Sequence, residues 1–501
     1  MKVSDNMFLL IMLLIMVSCS DVSVPNDTND LAEAVFVPDL TSLVRNPMSG
    51  WTLYDDANDY VADSEKYWIS QDMAARRFAS IFYWRGRWSS LEPQEGIYAW
   101  DVDDNFKSLI QGALDRGLKL AFCIYVDGQD NIYNATPDFV REAGAQGYPS
   151  HRLWDLEGVD NNWSPYVDDP IFQAKFSNFI KAFAEKFDNP DIVDYVDAFN
   201  LGWWGEGHHI KYLNQANKTT VYKWITELYG ENFSKIILVT NFGTEMGVEV
   251  ERKLAVQDQG YIVRRNSLAS TWFRDTEIKT LQTFFPETAF VAEGCYWGGN
   301  EDTYQPWCDD PLYKDVFTYW DDFYQQSYND AIRGRANTLD LREVPETKGW
   351  THRALNLVKD FVSKGGYRLT PVIVRWTDEV KLSSEVRIQH TWRNSGVGVC
   401  PNNNRRWNYK YKVAFALTDL ATDAVAYKYV DDKVEPSVWL YGNDTEYESS
   451  FVPDVPPGTY NLKVCIADTS KEGNPPGLSM AVKSIDLCGG WLPIGKLTIK
   501  Q

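Results

Sequence analysis

Between residues 45 and 365, short apolar runs alternate again and again with amphipathic stretches, and this alternation restricts the possible folds more than any other feature of the chain. "GWTLY", "FASIFYW", "LKLAFCIYV", "VDYVDAFNLG", "KIILVTNFG", "SLASTWF" and "TAFVAEG" read as strands, and "DAIRGRANTLD" as the last candidate. Between them lie helical patterns such as "VDDNFKSLIQGALDRG", with Phe106, Leu109, Ile110, Ala113 and Leu114 on one face and Gly117 as a stop, and "IFQAKFSNFIKAFAEKF". Strand–helix units in this number predict a parallel sheet closed on itself, an α/β fold of the (β/α)8 TIM barrel type. The competing solution is a doubly wound open sheet, but no glycine-rich phosphate turn follows the first strand. From Thr370 the texture changes to period-2 runs ("PVIVRWTD", "EVRIQHTWRN", "YKYKVAFALTD", "TYNLKVCIAD", "GKLTIKQ"), some separated by Gly/Pro clusters. An all-β sandwich over 370–501 is expected.

The N-terminus reads as a targeting segment. "MFLLIMLLIMV" after Lys2 is too short to span a bilayer and fits a signal-peptide core. The run ends in "MVSC", which resembles a bacterial lipobox, so residues 1–18 are expected to be removed and Cys19 lipidated. Ordinary secretion with nearby cleavage is the alternative. Residues 19–44 read as an acidic, flexible tether. Six cysteines remain, in a compartment that permits disulfides. Cys295 with Cys308 and Cys465 with Cys488 are the first local pairings to consider, with connectivity open. No spaced Cys/His set suggests a metal, and no cofactor is implied.

Net charge is −21, which argues against nucleic acid as a partner. The 20 Trp and 28 Tyr suit sugar rings, whose apolar faces stack on aromatic surfaces; the plainer account of most of them is a large aromatic core. In a β/α barrel the working residues sit at the C-terminal ends of strands. Glu206, in "FNLGWWGEGHH", and Glu293, closing "TAFVAEG", hold such places, after the fourth and seventh strands. Two carboxylates at one barrel mouth suit glycoside cleavage: about 5–5.5 Å between them gives retention, about 6.5–9.5 Å inversion. The Trp-rich setting predicts a raised pKa for Glu206. Glu293 needs donors to stay ionised, with Asn241, Tyr296 and Arg85 the candidates. Trp51, Tyr54, Trp84, Arg85, Trp204, His208, His209, Asn241, Trp272, Tyr296 and Trp297 stand near strand ends and are expected to touch substrate. Asp197, inside a strand, and Glu92 and Glu95, in the turn "EPQEG", read as structural.

"RWSSLEPQEGIYAWDVDDNFKSLIQGALDRGLKLAF" resembles the early barrel region of the clan of retaining glycosidases that includes the β-galactosidases of families 42 and 35, through Trp88, Glu92, Pro93, Glu95, Gly96, Tyr98, Trp100 and Asp101. "RNPMSGW" and "WGEGH" are similar to a less characterised family of secreted barrel proteins with a C-terminal all-β domain. The clan resemblance implies that Glu206 is the acid/base and Glu293 the nucleophile. The chain departs from the clan at Gly205, where the clan has an Asn that holds the substrate's 2-hydroxyl; the nearest upstream Asn is Asn200.

The combined expectation is a retaining glycosidase barrel (45–365) acting on a β-linked neutral oligosaccharide or polysaccharide, β-galactoside first by resemblance. The sandwich would brace the barrel or bind glycan. The membrane would be met only through lipid at Cys19, in a bacterial lipoprotein of the periplasm or outer-membrane surface. The rival from another class is a non-catalytic glycan-binding surface lipoprotein.

Overall fold

The computed structural model describes residues 31–55, 61–128, 134–150, 162–271, 273–295, 298–302, 317–483, 485, 487 and 489–501. The signal segment and Cys19 lie outside these residues, as do Cys308 and Cys488, one member of each suggested disulfide.

Eight parallel strands close into a barrel: β1 Gly50–Tyr54, β2 Ala79–Arg87, β3 Lys119–Tyr125, β4 Val193–Asp197, β5 Ile237–Asn241, β6 Ile262–Leu268, β7 Phe290–Gly294 and β8 Thr338–Arg342. The circle closes where Thr338 of β8 lies opposite Gly50 of β1. Two strands lie away from their expected places. β6 runs through "IVRRNSL", ahead of the expected "SLASTWF". Its two arginines look like loop chemistry in sequence, yet Arg264 is buried against carboxylates inside the barrel. In "DAIRGRANTLD" only the end is strand, because Asp330–Arg333 finishes the helix Trp320–Arg333.

Side-chain parity divides the barrel into two environments. Trp51, Leu53, Phe82, Trp84, Leu120, Phe122 and Val196 join the core shared with the outer helices. The helix Pro170–Phe187 shows how that layer is built. Asp169 caps it by accepting from the backbone N–H groups of Ile171 and Phe172, Pro170 opens it, and Phe172, Phe176, Phe179, Phe183 and Phe187 form one buried stripe. Each buried Phe contributes about 1.5–3 kcal/mol. Tyr54, Ile81, Tyr83, Ala121, Cys123, Tyr195, Ile237 and Val239 belong instead to a core continuous with that of the second unit.

That second unit is a pair of mostly antiparallel sheets. One has the order Ala32–Val35, Leu369–Trp376, Val386–Asn394, Asp444–Phe451; the other runs Glu379–Lys381, Leu492–Lys500, Gly458–Asp468, Tyr411–Asp419, Val425–Asp431, with Pro476–Leu478 beside Gly458–Asp468. The tether expected over 19–44 is corrected from residue 32 onward. Ala32–Val35 is an edge strand paired antiparallel with Leu369–Trp376, and Glu33 forms a 2.6 Å ion pair with Arg375.

The sheets are joined to the N-terminal end of the barrel, the end opposite the mouth. Asn337, just before β8, donates to the carbonyls of Met48 and Val399, both at 2.8 Å. Arg406 reaches the carbonyls of Phe233, ahead of β5, and Gln259, ahead of β6. The second unit therefore plugs the bottom of the barrel and leaves the strands' C-terminal ends uncovered.

Candidate active site

The loop after β4 folds back on itself to present Glu206. Trp203 N–H donates to the His208 carbonyl, Gly207 N–H to Leu201, Glu206 N–H to Trp203, and Trp204 N–H to the Asp127 carbonyl beyond β3. Gly205 has φ +75°, and a Cβ there would stand 3.2 Å from both Asn200 Cα and Cys123 Sγ. A side chain at this place, where the clan has asparagine, would crowd both neighbours. Asn200 does not replace it: it is fully buried, donates to the Asp197 carbonyl and accepts from Tyr229 Oη.

The inward positions at the C-terminal ends of the strands carry charge. Arg85 of β2 donates through Nη2 to Glu206 Oε1 at 2.6 Å and through Nη1 to Glu293 Oε1 at 3.2 Å. One guanidinium thus joins the two glutamates, and its span limits their near oxygens to a separation of about 8 Å. Their side chains are 11% and 2% exposed. Glu293 also meets Arg264 Nη2, and Arg342 Nη2 lies 3.8 Å away. Arg264 Nη1 stands 3.3 Å from Asp197 Oδ2, which accepts from Tyr83 Oη at 3.3 Å. Arg342 pairs in turn with Asp340 at 2.6 Å and Glu346 at 3.5 Å.

The expected polarity of Glu206 is reversed. Burial alone pushes its carboxyl upward, but Arg85 and the His208 imidazole outweigh burial and hold it well below the usual carboxylate range. His208 Nε2 lies 3.1 Å from Glu206 Oε2. Asn241 does not donate to Glu293; its amide points at the Glu206 carbonyl, 3.3 Å away, and holds the loop. Burial pushes the nearby Cys123 thiol up to about 12, so it stays protonated at neutral pH.

Arg85, Trp204, His208 and Asn241 meet around the two glutamates, with His209 at the exposed rim. Trp51 and Trp84 do not. Trp51 is fully buried on the helix side, packed on Trp350 and Phe361 and donating to the Val358 carbonyl; Trp84 packs outward on Phe106. Tyr54 faces inward but is buried against Tyr83 at the level below Arg85. Trp272, Tyr296 and Trp297 lie outside the described residues. Arg264 and Arg342 are site residues not singled out in sequence; the usable signal for Arg264 is its inward parity with Ile262, two positions earlier, whereas a register shift between Asp340 and Arg342 breaks that parity in β8. In the "EPQEG" turn, Glu92 accepts from Trp88 Nε1 and from Gly96 N–H, both at 2.8 Å, while Glu95 pairs with Lys175 at 2.6 Å. Among the described residues no group of three or more His, Cys, Asp and Glu side chains is placed to hold a metal ion.

The chain matches no family model and no curated protein. Solved structures with which it shares a loose likeness include an endogalactoceramidase (TM-score 0.37, 13% identity, 78% of this chain and 96% of that one). Others are the endo-glycoceramidase II of a Rhodococcus species (0.39, 13%, 83% and 100%) and a psychrophilic family 10 endo-β-1,4-xylanase (0.37, 9%, 63% and 96%). Overlaps this loose transfer no residue roles to the chain.

Proposed function

We propose that this protein is a glycoside hydrolase that cleaves a β-linked neutral oligosaccharide or polysaccharide with retention, Glu206 acting as acid/base and Glu293 as nucleophile. The reading rests above all on one observation: two carboxylates from distant parts of the chain converge on a single guanidinium at the mouth of a closed parallel barrel. In the first step Glu293 attacks the anomeric carbon while Glu206 protonates the leaving oxygen. In the second, Glu206 takes a proton from water, which attacks the glycosyl–enzyme and releases Glu293. The cations around Glu293 keep it an anion, as a nucleophile needs to be.

A neutral substrate is favoured because Arg85, Arg264 and Arg342 are each already paired with carboxylates. None is left as a clamp for an anionic sugar. β-Galactoside remains a first guess by resemblance. Lipid attachment at Cys19, with residence in the periplasm or on the outer-membrane surface, belongs to the same proposal; mass spectrometry of the mature N-terminus tests it.

The activity test is a screen of aryl-glycosides and polysaccharides with wild type, Glu206→Gln and Glu293→Gln. Wild type is expected to turn over at least one β-glycoside, with the first-formed anomer retained by NMR, and Glu293→Gln to lose about 10³-fold or more. A wild type that binds glycan without turnover overturns the enzyme reading in favour of the glycan-binding one.

A further inference from the structure

Both oxygens of Glu206 are engaged: Oε1 by Arg85 and Oε2 by His208 Nε2. A carboxylate held this way is ionised, whereas an acid must arrive at the leaving oxygen with a proton. The loop carries a second imidazole behind the first. His208 Nδ1 faces His209 Nδ1 at 2.8 Å, so one of these nitrogens carries the hydrogen and the other the lone pair. The His209 ring lies flat on Trp203, with 3.6 Å between centroids and 6° between planes, which sets its orientation. His209 is exposed and His208 lies between it and Glu206, so the three groups form a file from water to the carboxylate. His209 has a left-handed backbone (φ 56°), which aims its ring back at its neighbour.

We propose that His208 and His209 form a proton wire that loads Glu206 from solvent. The inference rests on Glu206 being the acid. His209, protonated on both nitrogens, gives its Nδ1 proton to the lone pair on His208 Nδ1. His208 gives its Nε2 proton to Glu206 Oε2 at the same time. His209 is left neutral, His208 changes tautomer, and Glu206 becomes a carboxylic acid whose hold on Arg85 weakens. Water at the exposed His209 ring restores its proton, so no other reagent is consumed. The charged groups about the wire are Glu206 and Arg85 at its inner end, and Glu245, Lys211 and Asp127 around His209. Burial and the neighbouring His208 lower the pKa of His209, so that it gives up a proton readily.

The test compares glycosides of one sugar with good and poor leaving groups, 2,4-dinitrophenyl against methyl, in wild type, His208→Asn, His209→Asn and Glu206→Gln. A phenol that leaves as a stable anion needs no acid; an alkoxide does. His208→Asn is expected to lower methyl-glycoside turnover at pH 7 by about tenfold or more beyond its effect on the dinitrophenyl glycoside. His209→Asn lowers methyl-glycoside turnover the same way by less. Retained dinitrophenyl turnover also shows that the variant site is folded. Equal losses on both substrates overturn the wire even where Glu206→Gln discriminates between leaving groups. A wild type without turnover overturns the glycosidase reading and the wire with it.

Discussion

Arg264 of β6 and Glu293 of β7 form an ion pair inside the barrel, with side chains only 1% and 2% exposed. Charges this deep persist because each has partners; Arg264 also faces Asp197. Removing one member of such a set costs more than the intact set contributes, since the survivors stay buried and uncompensated. Arg264→Met is therefore expected to lower unfolding stability by about 3–5 kcal/mol, read by chemical denaturation. A loss under about 1 kcal/mol, typical of an exposed pair, contradicts this burial.

Arg85 stands between both glutamates, and its loss acts on charge as well as position. In Arg85→Met, Glu206 loses the cation that holds its carboxyl low. The basic limb of the kcat/KM profile should move to higher pH. Turnover should fall by about 10²–10³-fold, the scale for removing one well-placed charged donor. A steady-state pH profile checks the sign, and an unmoved limb rules out control of Glu206 by Arg85.

Gly205 is a steric requirement. With φ +75° and a prospective Cβ crowding Asn200 and Cys123, Gly205→Ala should destabilise the loop by about 1–3 kcal/mol. Glu206 should shift with it, so turnover falls more than global stability does. Thermal melting beside kinetics separates the two, and an alanine variant with wild-type turnover shows that the loop tolerates the methyl group.

His390 makes the second unit sensitive to acid. Its Nδ1 accepts from Trp392 Nε1 at 2.7 Å, and an indole nitrogen only donates, so the imidazole is neutral; Nε2 meets Ser449 Oγ at 2.9 Å. Burial lowers its pKa from 6.5 to about 4. The unfolded chain thus binds a proton over that window that the folded chain refuses. This component of stability is complete above pH 6.5, is lost as pH falls toward about 4, and changes no further below. His390→Gln should melt with a shallower dependence on pH across that window. An identical slope in both proteins assigns the acid sensitivity to other groups.

The barrel was legible because its signal is local. Strand alternation and helical spacing survive in short windows, so all eight strand runs overlap their structural positions; β6, with Arg264 and Arg265 in its middle, and β8, whose run begins in a helix, overlap only at the end of the run or of the strand. Glu293 was legible for the same reason: it ends an apolar run. Glu206 stood out because its tight turns require glycines in left-handed conformations. Trp84 was misassigned although it neighbours Arg85; adjacent strand residues point to opposite faces, so only one of the two can enter the barrel.

The sequence alone determined what is periodic: eight strand–helix units, a trailing set of β strands, and the stations of two glutamates along the chain. Tertiary structure alone decided which charges meet. Arg85, Arg264 and Arg342 are separated by long stretches of chain and reach Glu293 only because closure brings β2, β6 and β8 around one axis with β7. Periodicity is a property of neighbours in the chain. The potential at a carboxylate depends on distance through space, and folding sets that distance.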